Sequence, residues 1–322
     1  MLWEQGVAGP NPVAPTILNN TKLSFVLLYR DGVVIFSLAE YRSGMVALLT
    51  KDQICGDTAL DVIQKFGALA APTDLAVLLG GMMSTTQRTN DGALTAYAWT
   101  ASPSDIPWNN GVYGLGHTPG SFAPTLRTPA IRPVLLSSEA PKMRLQRSVK
   151  SLFGAVVLKY GEYPQTAVDV RLGCELEILL KHDRLAKTGK SYTFDSADVM
   201  GYLRGLKAKQ YPEYEYKGKK YIRVLSRPAD DDSRLSSGRN VLDDRPYWVK
   251  VEPIEWLVDP KGLWVAKKCL IAGIQFDKQD RYEGDFSKTL MQDYLNTYFA
   301  KEIKPSVLHQ RWALFNRKLA LR

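Results

Sequence analysis

The sequence predicts an α+β fold of mixed and antiparallel sheets joined by long loops. Three observations carry that expectation. Short β-branched runs are punctuated by Gly, Asn and Asp turns, and a few segments place apolar residues at helical spacing. Between "LTAYAWTAS" and "AIRPVLLSS", almost thirty residues rich in Gly, Pro, Ser, Thr and Asn follow neither period. With 322 residues, 45% of them hydrophobic and 10% aromatic, the chain can bury a substantial core.

Taken in order, residues 1–22 read as an extended, Pro- and Asn-rich arm. In "KLSFVLLYRDGVVIFSLAEY", two apolar runs flank Asp31-Gly32, both tolerant of positive φ, so a hairpin is expected. "MVALLTK" reads as a further strand. "DTALDVIQKFGAL" puts Leu60, Val62, Ile63, Phe66 and Leu69 near a helical stripe with Asp57 as its cap. "PTDLAVLLGGMM" is a second helix, started by Thr73-Asp74 and stopped at Gly80-Gly81. The strands around the long loop complete a unit spanning 23–140.

A Ser/Glu/Pro/Lys junction at 137–142 marks the boundary with a second unit, 141–303. "LFGAVVLKYGEYPQTAV" reads as a strand entering a turn at Gly161–Pro164, and "VRLGCELEILLKHDRLAKTG" as a helix ending at Gly189. "YEYKGKKYIRVLS" is a hairpin turning at Lys217-Gly218, and 228–246 is a polar, solvated loop. Two strands then flank a turn at Asp259–Gly262, with Trp256 and Trp264 on its arms. The clearest helix is "DFSKTLMQDYLNTYFAKEI", capped by Asp285 or Ser287 and ended by Pro305. Its expected apolar face is Phe286, Leu290, Tyr294, Leu295, Tyr298 and Phe299. Residues 304–322 form an amphipathic tail whose Trp312, Phe315 and Leu319 are expected to contact a partner.

The net charge of +9 is uneven: 8 Lys+Arg against 10 Asp+Glu through residue 140, and 34 against 23 beyond it. A basic second half suits an acidic partner. Tyr211, Tyr214, Tyr216 and Tyr221 interleave with Lys217, Lys219 and Lys220, a mixture that would stack on single-stranded nucleic acid. A ribbon with exposed Tyr/Lys pairs explains the same residues, and nucleic acid is not the favoured partner. Cys55, Cys174 and Cys269 lie far apart without a CxxC pair, so neither zinc nor a disulfide framework is expected. No apolar run is long enough to cross a bilayer, and the N-terminus has no secretory pattern, so synthesis in the cytoplasm without a membrane span is expected.

No catalytic residue, cofactor or metal is assigned. The chain has no GxSxG, Walker-type, GxGxxG or HExxH motif. His117, His182 and His309 are scattered, and Glu252 and Glu255 in "VEPIEW" form an isolated carboxylate pair. Five aspartates in "DDDSRLSSGRNVLDD" lack the alternating spacing of a Ca²⁺ loop.

"YGEYPQT" at 160–166, followed by "YWVKVEPIEWLVD", "KKCLIAGIQFD", "YEGDF" and "DYLNTYFAKEI", resembles an uncharacterised family common in gut bacterial genomes and their phages. Its members open with F/Y-G-E/R-Y-P-Q, continue through a "PIEW"-like strand and an aromatic helix with a "WLN"-like element, and close with W-x-x-S-P and R-P-A/V-L. Trp99–Pro103 and Ile131–Leu135 match the closing elements, which here precede the opening ones. The chain therefore holds either two related domains or one domain in permuted order. The closing pair is similar, more distantly, to the end of C-type-lectin-like domains, including phage versions with diversified loops.

That resemblance implies a C-type-lectin-like N-terminal half beside a basic α+β domain. Trp99, Arg132 and Pro133 would anchor the loop, and Trp108, Asn109, Asn110, Tyr113 and His117 would form its ligand-binding tip. Tyr, Trp and Asn supply contact area and adaptable hydrogen bonds at low entropic cost. The function expected is a non-enzymatic structural or adsorption component of a phage particle, such as a tail, fibre or decoration protein. It would be oligomeric, in contact with other subunits and with a host-surface protein or glycan. The alternative is a cytoplasmic bacterial binding module, for nucleic acid, that uses the basic half.

Overall fold

The computed structural model describes residues 16–20, 23–30, 33–38, 45–54, 59–103, 112–115, 130–136, 156–194, 209–259, 263–276 and 285–304. The architecture is α+β, with mostly antiparallel strands and few helices. Its spine is β14 (Pro246–Val258), which pairs antiparallel along one edge with β10 (Val156–Ala167). The other edge is divided. Residues 246–250 pair with β13 (Lys219–Leu225), followed by β12 (Gln210–Tyr216) and β11 (Ala186–Thr193). Residues 256–258 pair with β15 (Leu263–Ala266), followed by β9 (Val134–Leu136) and β4 (Met45–Ala47). Outside β10 lie β3 (Val33–Leu38), parallel to it, then β2 (Leu23–Arg30) and β1 (Thr16–Asn20).

Two hairpins stand apart from this sheet. One is β5 (Met83–Arg88) with β6 (Leu94–Ala96), and the other is β7 (Ala98–Pro103) with β8 (Val112–Leu115).

The change of composition near residue 140 is a change of charge and not a break in the core. Strands from both sides of it, β3 with β10 and β9 with β15, share one sheet. One apolar cluster takes Leu75, Ile131 and Leu135 together with Val249, Trp256 and Phe299. A smaller cluster lies on the opposite face of β12–β14, under α4 (Val170–Lys181), and contains Leu176, Tyr214, Tyr221 and Trp248. The period-two alternation of strands makes this division: Tyr247 and Val249 face the main core, while Trp248 between them faces α4.

Leu23–Arg30 and Val33–Leu38 do pair antiparallel, with Arg30 opposite Val33. At the Lys217-Gly218 turn both φ angles are positive, 50° and 70°, as a two-residue hairpin of this hand requires. Thr73 caps α3 (Asp74–Leu78) by accepting from the Ala76 N–H.

Four expectations need correction. Helix α2 is shorter than its stripe, Asp61–Phe66, and Leu60 is its N-cap without a side-chain bond; Asp57 lies outside the described residues. Gly161–Pro164 is no turn, because β10 continues through it with two bulges. Helix α4 stops at Lys181, and Gly189 instead sits at a bulge of β11 with φ 84°. The late helix is segmented: a 3₁₀ turn (Phe286–Lys288), α5 (Leu290–Tyr294), a π-helical turn (Leu295–Phe299) and α6 (Ala300–Glu302). Thr289 breaks the first piece from the second and caps α5 through the Gln292 N–H.

This segmented helix closes the sheet between two strand ends. Asn296 imitates a strand partner for β4, accepting from the Val46 N–H and donating to the Val46 carbonyl, both at 2.9 Å. At the other end Tyr294 donates to the Thr193 carbonyl at 2.7 Å, while Glu302 accepts from the Thr193 N–H at 2.7 Å.

Candidate functional site

Three features stand out: the base of the long segment after β7, a charged strip on β10–β14, and a buried centre of tyrosines and carboxylates. At the first, the Trp99 N–H donates to the Ala130 carbonyl at 3.0 Å, and the Ala130 N–H donates to the Tyr97 carbonyl at 2.8 Å. The chain thus leaves β7 and returns at Ala130 side by side. Trp99 is 5% exposed and packs on Phe276 with ring centroids 5.1 Å apart. The buried Arg132 guanidinium donates through Nε to the Ala266 carbonyl and through Nη1 to the Ala68 carbonyl, each at 2.8 Å. The buried Pro133 lends its carbonyl to the Ala266 N–H at 3.0 Å.

Burial lowers the pKa of Arg132, which has no carboxylate partner among the described residues. Burial likewise pushes the Cys269 thiol up to about 12, against the pull of Arg132. Trp108, Asn109, Asn110 and His117 lie outside the described residues, as do Trp312, Phe315 and Leu319. Tyr113 falls within β8, which is described as backbone alone.

The strip on β10–β14 holds the "YGEYPQT" and "VEPIEW" residues. Pro253 cannot donate to a ladder, so a proline within a central strand requires local irregularity. The opposite strand provides it with bulges at Tyr160-Gly161 and at Gln165. The Gln165 amide turns across the ladder and donates to the Glu252 and Pro253 carbonyls at 2.9 and 3.0 Å. Gln165→Leu should therefore leave those carbonyls without that donor and cost about 1–2 kcal/mol in denaturant melts. An unchanged midpoint would refute this role.

Glu252 and Glu255 do not converge as an acid/base pair. Glu252 accepts from Thr166 at 2.6 Å and pairs with Lys250 at 3.3 Å. Glu255 pairs with Lys267 at 3.0 Å and Lys159 at 3.4 Å. Burial opposes ionisation of Glu255, but the two ammonium groups outweigh it and hold the carboxyl below its usual range.

The buried centre lies where β10, β11 and β12 meet the segmented helix. Glu213, 0% exposed, accepts from Tyr192 Oη at 2.6 Å and from Thr188 Oγ1 at 2.7 Å. Tyr163 lies edge-on to Tyr192, and its hydroxyl is 3.4 Å from that of Tyr294. Burial, the Glu213 carboxylate and its hydrogen bond push Tyr192 far above the usual phenol range. Lys190 Nζ sits 4.8 Å from the Tyr192 ring centroid and donates to the Lys304 carbonyl at 3.2 Å. Glu302 uses only Oε1, and its buried Oε2 has no hydrogen-bond partner among the described residues. Burial pushes the Glu302 carboxyl up to about 7, against the Thr193 bonds and Lys190.

Sequence reasoning passed over this centre. The readable signal was Glu213 at a core-facing period-two position beside Tyr211 in "QYPEYEY".

Of the four tyrosines expected to stack, Tyr211, Tyr214 and Tyr221 are buried and Tyr216 is half-buried. Tyr211 stacks on Phe194 at 4.5 Å in the main core, and Tyr214 and Tyr221 are buried under α4. Tyr216 packs against the same cluster and bonds to Glu175. Lys217, Lys220 and Arg223 pair with Glu175, Glu162 and Glu177. Among the described residues, no group of three or more His, Cys, Asp or Glu could hold a metal ion, and no helix is long and apolar enough to cross a membrane.

No family model, curated protein or solved structure matches the chain.

Proposed function

We propose that this chain is a non-enzymatic structural or adsorption component of a phage particle, such as a tail, fibre or decoration protein, and that it presents a C-type-lectin-like recognition segment. The observation that carries the reading is the fixed base of the segment between Pro103 and Ala130. Its two ends are hydrogen-bonded to one another through Trp99 and Ala130, and Arg132 ties the returning strand to carbonyls of two other segments. A rigid base allows the intervening residues to vary without cost to the core. Trp108, Asn109, Asn110, Tyr113 and His117 are the residues assigned to contact a host-surface protein or glycan. The engaged carboxylates Glu252 and Glu255 support a binding role over acid/base chemistry. Trp312, Phe315 and Leu319 are assigned to subunit contacts in an oligomer, and the site of action is the virion.

Two measurements test this. Antibody against the purified chain should label phage particles by electron microscopy. Particles carrying alanine at Trp108, Asn109, Asn110, Tyr113 and His117 should lose host adsorption while the protein keeps its melting temperature. A monodisperse monomer absent from every particle would overturn the assignment.

A further inference from the structure

The charged strip, on strands separate from the β7–β8 hairpin, holds a further candidate surface that does not depend on the preceding reading. A cleft of about 280 Å³ opens there, lined by Lys159, Lys267, Lys268, Gln165, Glu252 and Glu255 among others. That volume is at the low end for small-molecule sites and suits one ring-sized ligand, not an extended chain. The lining is largely polar; the buried Leu270 and the exposed ring of Pro253 supply its apolar part.

The walls decide the charge of the occupant. Three lysines face two glutamates, and both glutamates already have cationic partners, Lys250 for Glu252 and Lys159 with Lys267 for Glu255. Lys268 is exposed and makes no ion pair or hydrogen bond within the described protein, so the cleft keeps unspent positive charge. Acceptors stand around it for hydroxyl donors: the carboxylates of Glu252 and Glu255, and the Gln165 carbonyl, whose amide nitrogen alone is used internally. An anion carrying several hydroxyl groups on a compact, partly apolar ring matches all three properties. A bare phosphate would leave the acceptors unused, and a cation would meet net positive charge.

We infer that the cleft between β10, β14 and the Lys267-Lys268 turn binds an acidic sugar, its carboxylate on Lys267 and Lys268 and its hydroxyls on Glu252, Glu255 and Gln165. The orientation follows from charge-assisted hydrogen bonds being the stronger kind.

Saturation-transfer NMR and calorimetry on the full chain, with glucuronate, glucose and inorganic phosphate as probes, test the inference. Glucuronate should bind and glucose should not displace it. Affinity should fall about tenfold in Lys268→Gln, whose side chain has no structural partner, and further when Lys267→Gln is added. Tm of Lys268→Gln should be unchanged, which separates lost binding from lost folding. Absence of transfer to glucuronate, equal binding of glucose, full competition by phosphate at equal concentration, or an unaltered affinity in the double variant would each overturn the assignment.

Discussion

Glu302→Gln is expected to abolish a loss of stability that the protein otherwise suffers as pH rises. Burial lifts the folded-state carboxyl from 4.5 to about 7. Below the lower value the group is protonated in both states and exerts no pH-dependent effect. Between the two values the unfolded chain releases the proton while the folded chain retains it, so unfolding is increasingly favoured. Above about 7 both are ionised, and the accumulated loss levels off near 3 kcal/mol.

The surroundings account for the direction. Burial of the Glu302 carboxyl comes first, and its buried Oε2 has no hydrogen-bond partner among the described residues. Tyr163, Tyr192 and Tyr294 face it as neutral phenols, and Lys190 is the cation that opposes the shift. Denaturant melts of wild type and Glu302→Gln, run from about pH 4 to pH 8, should diverge across that window, with the variant the flatter of the two. Parallel curves would remove Glu302 as the titrating group.

Gly161→Ala should destabilise the fold by about 3 kcal/mol and undock the segmented helix. Gly161 has φ 71°, and a Cβ there would stand 2.6 Å from the Ile303 carbonyl oxygen and 3.1 Å from its Cβ. The left-handed backbone alone costs an L-residue about 1 kcal/mol, and the clash is with backbone, which cannot swing aside. The Glu162 N–H donates to the same Ile303 carbonyl at 2.9 Å, so the strain falls on the bond that seats the helix. Gly173, inside α4, is the control: its added Cβ would meet only Val168 Cγ2 at 3.7 Å, and alanine there should be neutral or mildly stabilising. Hydrogen exchange over residues 286–303 should rise in the first variant and not in the second. Equal behaviour of the two would sink the close-approach account.

The contrast between these glycines shows what the sequence could and could not convey. Hairpins such as Lys217-Gly218 were legible because two adjacent residues fix their own geometry. Gly161–Pro164 had the composition of a turn, but a partner almost a hundred residues away, Pro253, draws the same segment into a bulged strand. Gly189 read as a helix stop for the same local reason, whereas it lies in β11.

Trp99 and Arg132 were read as anchors, and both are buried beside residues from the far end of the chain, Phe276 and Ala266. The partners themselves could not be deduced. Nor could Glu302, which reads as one more charge on a helix until Thr193 and the tyrosines are seen around it.

Sharing β14 among so many distant segments has a kinetic corollary. Asn296 must reach Val46 across 250 positions, and Arg132 must reach Ala266 across 134. Chain-closure entropy is spent well before such distant pairs reward it, so a slow refolder is expected. During synthesis β4 must wait, the Val46 backbone groups unmet, until the ribosome has delivered Asn296.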